Sequence, residues 1–202
     1  MPTCIIHENV EIGENAVIGD YVIIGEPPRG HNPGDLPTKI GENAVIRSHT
    51  VIYAGNVIGN NFETGHHVLI RESNIIGNDV SVGTNSVVEH HVRIGNEVRI
   101  HSLAFVPEQS VLEDGSWIGP GVTITNTKYP LSVDAKQSAS GVRLRRLAKI
   151  GANATLLQGI TVGERALVGA GSVVVKDVPD NTVVAGCPAR KINDVENLPY
   201  PR

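Results

Sequence analysis

A period of six organises this chain. Stepping by six from Ile40 meets Ile46, Ile52, Ile58, Thr64, Ile70, Ile76, Val82, Val88, Ile94, Ile100, Val106, Leu112, Ile118 and Ile124, all aliphatic except Thr64. The same frame holds at Ile12, Ile18 and Ile24, and again at Ile150, Leu156, Val162, Val168 and Val174. The fifth place of the unit is small or β-branched, as at Ala44, Thr50, Val68, Ser86, Val92, Ala104, Ser110 and Val122. A helix repeats apolar residues every three to four positions and a lone strand alternates, so neither element absorbs a period of six. A short strand followed by a tight turn does, with one large and one small side chain turned inward per unit. Repeats of this kind specify a parallel β-helix, whose coils bury their apolar faces only against one another. Gly often follows the aliphatic residue, as in "IGEN", "IGNN" and "IGND", where a positive φ or crowding would penalise a side chain.

Composition agrees with a narrow interior. Aromatic residues make up only 3% of the 202 residues, so Ile, Val, Leu and Ala must fill the core. A net charge of -4 without a long basic run argues against nucleic acid as a partner. Cys4 and Cys187 supply neither a disulfide framework nor a metal-knuckle spacing. No apolar run reaches the length of a membrane span and "MPTCIIHENVEIG" is no signal peptide, which predicts a cytoplasmic chain without membrane insertion. The period breaks twice, over 25–39 and 125–149, and long loops in a compact domain are usually functional. The expected organisation is one β-helix domain over 1–192 carrying these two extruded loops, with a tail over 193–202.

The hexads, together with "GAGSVVVKDVP" and "AGCPAR" near the end, resemble the hexapeptide-repeat acyltransferases. That resemblance implies an all-β fold, a left-handed parallel β-helix with 18 residues per triangular coil; general crossover rules alone favour the opposite hand. With such a lap, residues 18 apart stack at about 4.8 Å. One outward column then runs Glu72, His90, Glu108, Asn126. A second holds Ser48, His66, Thr84 and Ser102, with His101 one residue ahead of it, and a third holds His49, His67, Asn85 and Leu103.

From "VPEQSVLEDGSWIGPGVTITNTKYP" onward the chain is similar to the nucleotide-sugar N-acetyltransferases, which acetylate an amino group of a UDP- or dTDP-linked sugar for surface polysaccharides. The resemblance implies acetyl-CoA as co-substrate, no metal, and a homotrimer with sites between subunits. It also implies that Glu108 and Asn126 match the Glu and Asn contacting the sugar near its amine. Transfer from a thioester to an amine needs an unprotonated amine, close approach, and donors for the developing oxyanion. A histidine titrates near neutrality and can take the proton. The candidate catalytic residues are therefore His90, His101, Glu108 and Asn126. Glu72, Ser102, Lys128 and Tyr129 join Glu108 and Asn126 as candidate substrate contacts. Gly151, Ala152, Gly169 and Ala170 are expected to lie against the pantetheine arm, with their N–H groups bonding its amides. Arg146, Lys176, Arg190 and Lys191 are expected to meet the phosphates.

Three other readings stand beside this one. O-acetylation of a sugar or small alcohol would depend far more on a histidine base, because an alcohol does not ionise near neutral pH. A zinc hydratase of the γ-carbonic-anhydrase type needs two histidines five apart. Arg71 and Glu72 stand five after His66 and His67, and Gly95 and Asn96 five after His90 and His91, so that spacing fails. A non-catalytic scaffold would use the same columns as polar ladders on a subunit face. It would leave Arg143, Arg145, Arg146 and Lys149 as a solvated flap.

Overall fold

The computed structural model describes residues 3–200; the first two residues, and the last two of the expected tail, lie outside it. Strands of mostly two or three residues pair in parallel at a spacing of eighteen, Leu69 with Val87, Ile75 with Arg93 and Ser81 with Arg99. The spacing makes one lap of a left-handed β-helix. Among the described residues its three faces are a nine-stranded sheet A (Ile5–Ile6 to Val173–Val174), an eight-stranded sheet B (Val10–Ile12 to Thr161–Val162) and a ten-stranded sheet C. Sheet C begins at Val17–Ile18 and closes on a hairpin, Thr182–Gly186 against Ala189–Asp194.

Every frame position from Ile40 to Ile124 is buried, as are the small residues at the fifth places from Ala44 to Val122. The side chains stack into one continuous apolar column that also includes Phe62 and extends through Val174. Thr64 is buried as well. Its hydroxyl accepts the Arg47 N–H at 3.0 Å and sits 3.3 Å from Thr50 Oγ1, and here the pairing with the neighbouring strand is reduced to Val45 with Glu63.

Glycine after the aliphatic residue is required by crowding. A Cβ on Gly41 or Gly59 would come within 2.2–2.8 Å of the next coil. The left-handed turn position falls two residues later and is taken by Asn43, Asn61, Asp79, His49, His67 or His91. Asn and Asp tolerate that conformation because a short polar side chain bonds locally. The neighbouring corner carries an amide ladder: Asn60, Asn78, Asn96 and Asp114 each accept, through Oδ1, the backbone N–H eighteen residues earlier.

Both excursions leave at the edge between sheets A and B. The first lengthens a lap by ten residues, since Val10 pairs with Thr38, 28 apart. The second lengthens a lap by fourteen, since Trp117 pairs with Lys149, 32 apart. Its extent differs from the expected 125–149: Arg143–Leu144 is already a strand of sheet B, and Val142 and Ala148 point into the core. The arginines there stand on the coil, where Val142 and Leu144 restore the inward frame. The expected boundary at 193 also moves. Asn193 and Asp194 pair with Val183 and Thr182, and Val195 is buried.

Two inward amides at the A/B edge, Asn56 and Asn74, stand where other laps carry Thr38, Val92, Ser110 or Val142. Asn74 Oδ1 accepts the Val92 N–H at 2.7 Å and its Nδ2 donates to the Arg71 carbonyl at 2.7 Å. Replacing Asn74 by Ala leaves the buried Val92 N–H unpaired, which costs about 1–3 kcal/mol. Chemical denaturation of Asn74→Ala should therefore show a lower midpoint with an unchanged slope.

Candidate functional site

The A/B edge assembles the first outward column. Leu69, Val87, Phe105 and Thr123 are successive partners in sheet A, so Glu72, His90, Glu108 and Asn126 follow one another coil by coil. Thr123 then pairs with Thr155 and Thr155 with Val173, which continues the column through Gln158 to Lys176. Gln158 was not recognisable by counting eighteens, because the excursion intervenes. Subtracting the fourteen inserted residues finds it.

At the lower end Arg71 organises the charge. Its Nε and Nη2 each donate to Glu72 at 2.8 Å, its Nη1 lies 3.4 Å from Glu89, and its guanidinium stands 5.2 Å from the centre of the Tyr53 ring. Burial pulls the Glu72 pKa upward, but the bond from Arg71, the backbone, and the charges of Arg71 and His90 together bring it below the ordinary carboxylate value. One coil on, His90 Nε2 lies 3.8 Å from Glu108 Oε2, and His90 Nδ1 lies 2.8 Å from His91 Nδ1. Glu89, His90 and Glu108 each offer an atom within 4.8 Å of the others, so this corner can receive a cation, an ammonium or a metal ion alike. The test for paired histidines in the sequence does not detect such a grouping.

Above it, the second excursion folds over the column and leaves a cleft of about 850 Å³. Glu108 and Asn126 line the cleft with Thr127, Leu131, Lys136 and Gln137. Asn126 is held from two sides: its Oδ1 accepts from Thr127 Oγ1 at 3.2 Å and its carbonyl accepts from Ser140 N at 3.0 Å. With Oδ1 and the carbonyl engaged, the donor that Asn126 retains for a ligand is Nδ2. Gln158 Nε2 reaches the Ser138 carbonyl at 3.4 Å, and its Oε1 is buried without a partner among the described residues. Lys128 and Tyr129 are exposed and stand beside each other, with Lys128 Nζ 5.2 Å from the ring centre, and neither is among the cleft's lining residues. Lys136 and Gln137 take their place there; a loop without periodicity offers no register from which to single them out.

The remaining candidates divide between other parts of the surface. His101 and Ser102 lie on the C/A edge, one sheet width from Glu108, in the columns that continue to Gly151, Ala152, Gly169 and Ala170. One chain therefore does not bring His101 to Glu108 and Asn126. The His101 ring packs 4.7 Å from that of Trp117. Burial, followed by the charge of Arg99, lowers its pKa below the ordinary 6.5 and keeps the imidazole neutral at neutral pH. The Gly151 and Gly169 N–H groups donate to the Val168 and Val184 carbonyls, so they are not available to a ligand amide as expected. Glycine at 151 is required by the coil itself, where a Cβ would meet Ala170 N at 2.5 Å.

Among the expected phosphate contacts, Lys176, Arg190 and Lys191 line one cleft of about 240 Å³. Lys191 Nζ pairs with Asp194 at 2.6 Å. Arg146 is elsewhere, on the B/C edge. Its guanidinium bonds Glu164 and its N–H donates to Glu113, while Arg145 bonds both oxygens of Asp180 at 3.0 and 3.1 Å and Arg143 meets Glu113 at 3.3 Å. These arginines tie successive coils together through carboxylates.

Residues 75–108 match the model of the bacterial transferase hexapeptide (six repeats), and residues 148–176 that of the hexapeptide repeat of succinyl-transferase. A galactoside O-acetyltransferase from Lactococcus lactis is 37% identical over 89 residues, 41% of this chain and 43% of that protein. A 2,3,4,5-tetrahydropyridine-2,6-dicarboxylate N-acetyltransferase from Enterococcus faecalis is 50% identical over 60 residues, 30% of this chain and 26% of that protein. The matches span half or less of the length of these curated relatives. Two solved structures share the fold. A UDP-N-acetylglucosamine acyltransferase from Bacteroides fragilis has a TM-score of 0.63 at 18% identity, covering 97% of this chain and 74% of that one. The UDP-N-acetylglucosamine acyltransferase of Arabidopsis has 0.57 at 19%, covering 96% and 74%.

Because folding disfavours protonation of His101, its contribution to stability is complete above the ordinary imidazole value and declines as pH falls toward the folded value. Arg99→Gln should raise the His101 pKa in an NMR titration without restoring it fully, since burial is the larger cause.

Proposed function

We propose that the chain is a hexapeptide-repeat acyltransferase, as its matches over 75–108 and 148–176 support, and that it is an acetyl-CoA-dependent N-acetyltransferase. Its acceptor would be the amino group of a nucleotide-linked sugar of the kind built into surface polysaccharides. The observation that carries this reading is the shared cleft of Glu108 and Asn126 beneath the second excursion. Lys176 stands two coils further along the same edge, about 10 Å away at the strand spacing.

Each residue has a task that follows from its surroundings. Glu108 attracts the acceptor as an ammonium and orients its nitrogen. His90 Nε2, beside Glu108, is placed to take the proton that the nitrogen must lose before it attacks. Asn126, its oxygen already engaged by Thr127, presents N–H to a sugar hydroxyl or to the developing oxyanion. Lys176, Arg190 and Lys191 meet the phosphates of the acyl donor. In this reading the cleft is closed by a second subunit of a homotrimer, and the His101 and Ser102 edge of one protomer opposes the Glu108 edge of the next. Among the described residues no helix is long and apolar enough to cross a membrane.

A second reading has its own support. His90 beside Glu108 suits a hydroxyl acceptor, which needs a base to attack at neutral pH, and one relative is named a galactoside O-acetyltransferase.

Thiol release from acetyl-CoA, followed across a panel of UDP- and dTDP-amino sugars and the matching hydroxyl sugars, separates the two. Turnover with amino sugars alone is expected; turnover with hydroxyl sugars alone selects O-acetylation. Glu108→Ala and Asn126→Ala should each lower kcat/KM by about 100-fold with an unchanged elution volume. Parental kinetics in both variants would remove the cleft from the reaction.

A further inference from the structure

The geometry points to His91 as a positioning residue for His90, an assignment that rests on the reading of the A/B edge as the acceptor site. The two Nδ1 atoms lie 2.8 Å apart, and the rings meet edge to face with centroids 5.0 Å apart at 88°. Two imidazole nitrogens at that distance hold one proton between them. With two, the N–H groups clash; with none, the lone pairs repel. The Nδ1 of His90 is thus engaged whichever ring donates, and Nε2 is the nitrogen left for chemistry. That nitrogen faces Glu108 Oε2 at 3.8 Å.

Fold and sequence both favour this arrangement. His91 occupies the left-handed turn position at φ 57°, immediately after the outward column, so its ring is set beside that of its neighbour. His90 is half-buried and His91 exposed, so His91 is the member in free exchange with water. In the empty site a carboxylate beside Nε2 favours a proton there. His90 then accepts from His91, which carries its own proton on Nδ1. When an ammonium occupies Glu108, the His90 Nε2–H is released to solvent, the shared proton moves to His90 Nδ1, and the exposed His91 takes a proton from solvent at its Nε2, so both rings stay neutral. The His90 Nε2 lone pair then faces the acceptor. The ring pair switches that Nε2 from donor to acceptor without displacing a heavy atom, and the proton released at His90 is matched by the one taken up at His91.

The tautomers can be read directly on the protein labelled with ¹⁵N-histidine, by two-bond correlations in the presence of a chelator. We expect His91 as the Nδ1–H tautomer, the minor form of free histidine, and His90 as the Nε2–H form. Two variants accompany the spectrum. His91→Leu removes the contact at a turn position where this chain already accepts leucine, at Leu103 and Leu147; His91→Asn retains a polar group. His91→Leu should lower kcat about tenfold with little change in KM, and His91→Asn should recover most of the loss. Finding His91 as the Nε2–H tautomer, or parental kcat in His91→Leu, overturns the assignment. Absence of turnover with every acceptor would count against the proposed reaction instead, while the ¹⁵N spectrum would still report on the ring pair.

Discussion

Everything in this molecule depends on the hydrogen-bond ladder that joins each coil to the next. The ladder fixes the lap at eighteen residues, and the lap decides which side chains become neighbours. It also explains the glycines. Neighbouring coils pass so closely at Gly41, Gly59 and Gly151 that a single Cβ would strike backbone or a ladder amide of the next coil. Extra chain can be accommodated only where it leaves the coil altogether, and both excursions do so along one edge. The candidate acceptor cleft lies between that edge and the longer excursion.

The edges divide the chemistry. On the A/B edge, carboxylates, imidazoles and amides follow one another without an apolar break from Glu72 to Lys176. Arg71 pairs with Glu72 and approaches Glu89, while Glu108 stands nearest His90 Nε2 without an arginine partner of its own among the described ion pairs. On the B/C edge the arginines and carboxylates are paired with each other across coils, so their charge holds neighbouring laps together. The C/A edge is crowded with glycine and alanine, and its amides are largely committed to the ladder. Three edges of one coil thus carry a line of polar side chains, a set of ion pairs and a run of closely packed turns.

Much of this was legible in the residues. The aliphatic frame from Ile40 to Ile124 fixed the coil, and counting by the lap placed Glu108 and Asn126 together. Counting failed where the chain left the coil. Gln158 is the vertical neighbour of Asn126 although 32 residues separate them, and Lys136 and Gln137 reach the cleft from a loop that has no register. Arg143, Arg145 and Arg146 read in sequence as part of a solvated flap or as phosphate contacts. The inward pair Val142 and Leu144 returns them to the coil, where acidic residues meet them. The buried Asn56 and Asn74 could not be anticipated from the frame, because their value lies in backbone groups that only the folded edge brings near.

Because the second excursion leaves the coil and returns to it at one edge, the roof of the cleft is a piece of chain separate from the stack beneath it. A segment grafted between Asn126 and Val142 meets the same two strand ends whatever its length, so new roofs can be fitted over Glu108 while the stack beneath remains as it was. A change of shape above Glu108 then requires no redesign of the scaffold.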